Sequence, residues 1–439
     1  MIHSKKFAAV AVALAIGGFA GPAAAQTEIQ WWHAMGGALG ERVNEIADNF
    51  NRSQSEYVLV PTYKGNYSET MTAGVAAFRA GKPPHILQVF EVGTATMMGA
   101  KGAIKPIHEL MQETGQAFDP SDYLSAVTGY YTTTDGKMLS MPFNSSTPVF
   151  WYNKDAFKKV GLDPDNPPKT WPEVADAARK LIADGYQCGF STAWISWIHL
   201  ENFSAWHDIP FGTKENGFAG LDTEFTFNSP AHVKHIQQLA DWQKEKIFVY
   251  GGRRNLGNPK FIGGECPMYT ESSAGYASFK AGAKFEFGVS NLPYWPDIGN
   301  PPQNTIIGGA SLWVMVGHPD ADYKGVAKFM NFLSLPMVQA YWHAYTGYVP
   351  ITKGAYELMK NVKFYNDYPG RDIPILQMGG KAPTANSKGL RFGSFVQTRG
   401  IIYEELEAIF AGQKTAQQGL DDAVNSGNAL LRKFEKASR

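Results

Sequence analysis

The stretch that decides the reading is MPFNSSTPVFWYNKDAFKKVGLDPDNPPKTW, residues 141–171. It opens on a turn-prone polar cluster, Asn144-Ser145-Ser146-Thr147-Pro148, and passes into an aromatic run of strand type, Val149-Phe150-Trp151-Tyr152. A short helix is expected from Lys154 to about Val160, stopped by Gly161, before a proline-rich turn delivers Thr170. An extended segment that leaves one hydrophobic context and enters another is the pattern of a chain crossing between two lobes.

Toward the N-terminus the chain alternates. Ile29 to Trp32 reads as a strand, followed by a turn at His33-Ala34-Met35-Gly36-Gly37 and a helix with Val43, Ile46, Ala47 and Phe50 on one face. Tyr57 to Val60 is a second strand. Ser68 precedes a helix that runs to about Ala80, and Ile86 to Phe90 is a third strand. This β-α-β-α-β order predicts an α/β lobe with a largely parallel sheet. Ligands bind at the carboxyl ends of such strands, where Tyr67 and Glu91 fall.

Toward the C-terminus, Thr170-Trp171-Pro172-Glu173 is a capping box that opens a helix to about Asp184. Ser229-Pro230 opens another, with Val233, Ile236 and Leu239 inward. Between them lie Trp194, Trp197, Phe203 and Trp206. Gly308-Gly309-Ala310-Ser311 runs into a strand and reads as a second crossing, and Tyr345 to Pro350 as a third. The tail is helical, with a second capping box at Thr415-Ala416-Gln417-Gln418. The expected organisation is one lobe from 26–143 and 309–350 and another from 147–305 and 351–439, with crossings near 144–147, 306–309 and 346–350.

Composition bounds the function. The chain has 439 residues, enough for two or three domains, and lysine plus arginine equals aspartate plus glutamate at 40 each. That balance gives no electrostatic case for nucleic acid or an anionic membrane. Residues 1–25 have the form of a secretory signal peptide: Lys5-Lys6, an apolar Phe7 to Ala20, and Ala23-Ala24-Ala25. A mature chain from Gln26 with no cysteine for a lipid anchor is expected in the periplasm. Cys188 and Cys266 could form one disulfide or remain two separate buried thiols.

No GxSxG, Walker, GxGxxG or HExxH pattern is present. His232 and His235 could share a metal, but a solvated helix face is the commoner meaning of such a pair. His33 is expected to position rather than to bind. No cofactor is expected. The three crossings instead place small polar residues and glycines, Asn144 to Thr147, Gly308 to Ser311 and Thr346-Gly347-Tyr348, where two lobes would face each other. Hydroxyls and glycine amides at such places donate hydrogen bonds and allow close approach to a ligand.

The succession of strand, YNKDAFKKVGL and PPKTW resembles the family 1 extracellular solute-binding proteins, the maltose-binding-protein-like receptors of ABC importers. Other segments are similar to the sn-glycerol-3-phosphate-binding branch of that family: Trp32-His33-Ala34-Met35, Pro61 to Tyr67, Ile86 to Met98, Pro142 to Pro148, Leu200 to Trp206 and Ile306 to Met315. The resemblance runs from near residue 28 to the C-terminus. It implies a two-lobed α/β binding protein of type II, with ligand in the interlobe cleft. It also implies a monomeric receptor that delivers glycerol-3-phosphate, or a glycerophosphodiester, to membrane permease subunits served by a cytoplasmic ATPase.

Carried over residue by residue, the resemblance puts Tyr67, Ser146, Ser272, Gly309, Tyr348 and Arg399 around the ligand, with Arg399 as a phosphate fork preferred over Arg391. It puts Glu91 on the glycerol hydroxyls and Trp194 beside the ligand. Two features depart from the family pattern. Glu271 stands next to Ser272, unfavourable for a phosphate unless it points away, and Trp194-Ile195-Ser196-Trp197 lacks a flexible glycine. The rival readings are an oligosaccharide receptor of the same class and an exported phosphodiester hydrolase; the latter would need a metal cluster or a nucleophile–base pair.

Overall fold

The structure, a computed structural model, describes residues 26–438; the expected leader lies outside the described residues. Eleven strands follow in chain order among them: β1 Thr27–His33, β2 Tyr57–Tyr63, β3 Ile86–Phe90, β4 Ile104–Lys105, β5 Met141–Ser146, β6 Pro148–Asn153, β7 Phe190–Thr192, β8 Phe248–Tyr250, β9 Met268–Ser272, β10 Phe287–Ser290 and β11 Gly308–Met315. They build two sheets, one in the order β2-β1-β3-β11-β4 with β5 paired to β11, the other β10-β6-β9-β7-β8. Each sheet is the centre of one lobe.

In the first sheet β1 runs parallel to β2 and β3, as its alternating helices require. The parallel expectation stops there. β11 is antiparallel to β3, β4 and β5. It enters from the other lobe rather than through a helical crossover, so nothing constrains it to the parallel direction.

The opening stretch of sequence joins the lobes. β5 ends at Ser146 in one sheet and β6 begins at Pro148 in the other, so Thr147 alone separates them. Thr147 is buried and bonded on several sides. Its carbonyl accepts from the Ser273 amide, while its Oγ1 donates to the Pro374 carbonyl and accepts from Gln377 Nε2. Residues 351–361, assigned to the second lobe on sequence, lie against the first lobe. Val349 bridges to Ser145 and Thr352 to Tyr123, and the Lys353–Asn361 helix packs on the Pro336–Thr346 helix.

The helices follow their sequence signals. The Gly37–Ser53 helix buries Val43, Ile46, Ala47 and Phe50. The Trp171–Ala183 helix carries the Thr170–Glu173 capping box, and Thr415 and Gln418 cap each other at the last helix. The Tyr67–Arg79 helix starts earlier than Ser68 suggested, because Asn66 and Glu69 form a capping box of their own.

Cys188 and Cys266 are bridged, with Cα atoms 4.9 Å apart. They precede β7 and β9, adjacent parallel strands, at the ends away from Ser272. Closing a loop of 78 residues removes about 4.5 kcal/mol of chain entropy from the unfolded state.

His232 and His235 correct another expectation: both are fully buried. Ser229, the helix N-cap, gives its hydroxyl to His232 Nδ1, and Ser204 bonds His232 Nε2. His235 Nδ1 accepts from the Trp295 indole, so its Nε2–H donates to His199 Nδ1, and His199 Nε2–H donates to the Thr192 or Thr270 hydroxyl. Every ring nitrogen in this chain is used by a neutral imidazole. Burial accordingly lowers His199 and His232 to about 3.

Candidate ligand-binding cleft

A cavity of about 410 Å³ lies between the lobes. Tyr67, Glu91, Ser146, Trp194, Ser272, Gly309, Tyr348 and Arg399 all line it. The fold brings these eight together from both sheets, from segments beside them and from a C-terminal helix.

The first lobe fixes Tyr67 through a relay of amides. The Ala34 N–H donates to Gln88 Oε1 (2.7 Å), Gln88 Nε2 to Asn144 Oδ1 (2.7 Å), and Asn144 Nδ2 to the Tyr67 oxygen (2.8 Å). The Tyr67 ring stacks on Phe90 with centroids 5.2 Å apart. With its acceptor side taken, the Tyr67 hydroxyl pairs with that of Tyr348. Burial, then Tyr348, raises its pKa, so it stays a donor. Ser272 also has its acceptor side taken: its Oγ accepts from the Ala274 N–H (3.0 Å), leaving its proton to donate.

Two helices aim their positive ends at the same space. The Gly37–Ser53 and Gly275–Gly282 helices, one from each lobe, have no side-chain cap and no acidic residue in the first turn. Gly36, Gly37, Ala274 and Gly275 line the cleft. Uncapped N–H groups with the helix dipole behind them favour an anion.

Arg399, from the Phe395–Phe410 helix, differs from the expected phosphate fork. Its Nε donates to Glu201 Oε1 (3.0 Å), and its Nη2 to Glu201 Oε2 (2.6 Å) and Glu91 Oε1 (2.7 Å). The bidentate edge is therefore occupied by a carboxylate of the protein. Only Nη1 has no protein partner among the described residues. Burial disfavours the charge, but Glu201 and Glu91 outweigh it and hold the guanidinium protonated. Glu201, also held by Ser196 Oγ (2.9 Å), was overlooked on sequence although it lies in the Leu200-Glu201-Asn202 segment. Arg391 is not in the cleft. Its Nη2 bonds the carbonyls of Gly129, Tyr130 and Thr132 at the end of the Ser125–Tyr131 helix, and burial lowers it to about 10.

Gly309 has a φ of +104°, and a Cβ there would fall 1.8 Å from the Asn144 carbonyl oxygen, so only glycine fits. Trp194 supplies the unusual backbone that a glycine was expected to provide. Its φ is +43°, and its N–H donates at 2.7 Å to the carbonyl of Arg254, itself at φ +53°. Two non-glycine residues in this region cost about 1–3 kcal/mol each. Arg254 lines the cleft and was not singled out on sequence. The signal was its place in Gly251-Gly252-Arg253-Arg254, just past the carboxyl end of β8. His33 is buried outside the cleft lining; its Nδ1 accepts from the Met35 N–H (3.3 Å), and burial lowers it to about 4.

One histidine group outside the cleft has metal-like spacing: His85, His318 and Asp322. The Gln30 N–H donates to His85 Nδ1 (3.0 Å), so His85 Nε2 carries the ring proton and gives it to Asp322 Oδ2 (3.0 Å). No lone pair of His85 is left for a metal.

The family model described as bacterial extracellular solute-binding protein matches residues 45–371. The chain belongs to this family of solute-binding proteins. It is 51% identical over 438 residues to the sn-glycerol-3-phosphate-binding periplasmic protein UgpB of Pectobacterium atrosepticum, covering 100% of this chain and 98% of the relative. To the protein of the same name from Salmonella typhimurium it is 52% identical over 437 residues, 99% of each chain. Among solved structures, UgpB of Mycobacterium tuberculosis in complex with glycerophosphocholine superposes with a TM-score of 0.78 at 20% identity, over 93% of this chain and 99% of that one. A cyclic alpha-maltosyl-1,6-maltose binding protein of Arthrobacter globiformis does so with 0.72 at 22%, over 93% and 100%. As a solute-binding protein the chain shares the two-lobed α/β fold of these receptors.

Proposed function

We propose that this protein is the periplasmic receptor of an ABC importer for sn-glycerol-3-phosphate and its diesters, and that Tyr67, Glu91, Ser146, Trp194, Ser272, Gly309, Tyr348 and Arg399 contact the ligand. The observation that carries the reading is the convergence of donors. The paired hydroxyls of Tyr67 and Tyr348 face Ser272 of the opposite lobe, which accepts one protein N–H and keeps a proton to give, and two uncapped helix ends face the same space. A phosphate needs donors on many oxygens, and neutral donors supply them without a large net field. Glu91 has one oxygen on Arg399, which leaves the other to accept from glycerol hydroxyls. The UgpB names of the full-length relatives support the same reading.

The lobes are taken to divide at Thr147 and before β11, and to close on the ligand, which favours the closed state through contacts made to both sides. The closed form is the one a membrane permease would receive. Calorimetric titration with sn-glycerol-3-phosphate, glycerophosphocholine and maltose tests the reading. One-to-one binding of both phosphate compounds and none of maltose is expected; binding of maltose alone would replace the reading with a sugar receptor.

A further inference from the structure

Glu271 stands where an anion receptor has no obvious use for a carboxyl. It sits on β9 one residue before Ser272, lines the cleft, and is 2% exposed. A Cβ on Gly275 would fall 2.7 Å from its Cγ, so the side chain lies against the start of the Gly275–Gly282 helix. Oε1 accepts from the Ser272 N–H (2.7 Å) and takes that donor away from any bound anion. Oε2 is buried with no hydrogen-bond partner.

No cation compensates a charge here, although the Ser272 amide, the Asn258 and Trp194 side chains and the start of the Gly275–Gly282 helix favour one. Val149 of β6 is paired opposite, Asn258 and Trp194 approach from the neighbouring segments, and the phenols of Tyr269 and Tyr348 feel its charge. Arg254, Arg399 and Glu91 line the same cleft, but no cation forms an ion pair with Glu271 among the described residues. Arg399 is already held by two other carboxylates. Burial raises the Glu271 carboxyl to about 8, with the Ser272 amide and the Asn258 and Trp194 side chains pulling the other way.

We propose that Glu271 binds the ligand as the neutral acid, its Oε2–H donating to an oxygen of the anion held beside Ser272, so that anion binding is coupled to one proton. The inference rests on the proposed function and deepens it. A protonated carboxyl converts an apparent liability into one more donor, and explains why Oε2 has no acceptor in the protein. The coupling has a definite sign. Below about pH 7 the acid already carries its proton and binding takes up none. Above the carboxyl's own pKa the empty protein has a carboxylate there, and an entering anion must bring a proton with it. Affinity then falls by up to about tenfold per pH unit.

The test is calorimetric titration of the unaltered protein and of Glu271→Gln with sn-glycerol-3-phosphate and glycerophosphocholine from pH 7.5 to 9.5. Each titration is run in two buffers of different ionisation heat. Neither phosphate titrates in that range, and the diester has no second proton at all. For the unaltered protein Kd should rise about tenfold per pH unit above pH 8, with heats that depend on the buffer as uptake of nearly one proton requires. Glu271→Gln, an amide that donates but does not ionise, should show a Kd independent of pH and no proton uptake. Parallel pH profiles for the two proteins, or no uptake by the unaltered protein at pH 9, would overturn the inference while leaving the receptor reading intact. Absence of binding to either ligand at every pH would overturn both. Should Glu271→Gln not fold, the buffer dependence of the unaltered protein decides alone.

Discussion

Burial raises the pKa of a carboxyl on each side of the cleft, and the two sides differ in what answers it. Glu91 is 4% exposed and shares Arg399 with Glu201, so its charge is opposed within a hydrogen bond. Glu271 is 2% exposed and has the Ser272 amide instead. Burial is nearly equal; the partner differs. The lesson is that exposure alone does not say what charge a buried acid carries. One side of the cleft is a compensated ion cluster that orients its members. The other is an acid whose state depends on pH and on what occupies the cleft.

Breaking the compensated side should have the largest effect. Arg399→Ala leaves Glu91 and Glu201 buried without a cation, and should cost about 3–5 kcal/mol of stability, read from urea unfolding, together with ligand binding. Arg399→Lys should recover only part, because one ammonium cannot span both oxygens of Glu201 and reach Glu91. An Arg399→Ala protein as stable as the unaltered one would mean that the cluster is not compensating charge.

On the other side the response is to pH. The folded-state pKa of Glu271 lies above its unfolded value, so its contribution to stability is present at low pH and is lost as pH rises through about 8. Glu271→Gln should therefore raise the unfolding midpoint at pH 8.5, by an amount equivalent to about 1–3 kcal/mol, and change it less at pH 5. A gain that is the same at both values would show that the carboxyl is not the titrating group.

Glu91→Gln sharpens the contrast through the ligand. It should weaken glycerol-3-phosphate binding by roughly 1–3 kcal/mol in calorimetry and leave inorganic phosphate almost unaffected. Equal losses for both would make Glu91 a support for Arg399 only. The smallest effect on binding is expected for Arg391→Ala. It removes three bonds to backbone carbonyls and should lower stability by about 1–3 kcal/mol, with Kd unchanged. A lost affinity in a folded Arg391→Ala protein would give Arg391 a role that its position outside the cleft does not suggest.

Much of this architecture was readable from local signals. The switch at Asn144 to Tyr152 is a change of context within a few residues, and the Thr170 and Thr415 boxes depend only on neighbours three apart. The eight expected ligand contacts, which line one cavity, could be named together because the resemblance carried long-range information that periodicity does not contain. What escaped was tertiary. The direction of β11 and the attachment of residues 351–361 depend on which lobe the chain is leaving. Glu201 gained its meaning only when Arg399 arrived from the other end of the sequence. Arg254 was hidden by its backbone, since nothing in Gly-Gly-Arg-Arg announces that an arginine adopts the left-handed conformation and hands its carbonyl to Trp194. His232 and His235 looked like a solvated face because their partners, Ser204 and His199, lie on another segment.

The strained position of Trp194 gives the protein an optical property. Of its eleven tryptophans, nine are buried and only Trp32 and Trp194 are partly exposed. Trp194 alone of those two lines the cleft, with the Tyr67 ring centroid 6.5 Å away across the gap between the lobes. Indole emission shifts to the blue when water is removed from the ring. Closure of the lobes would dry this indole while leaving the buried nine as they are. The molecule thus carries its own fluorophore at the point where its two halves meet, and Trp194→Phe would erase the signal.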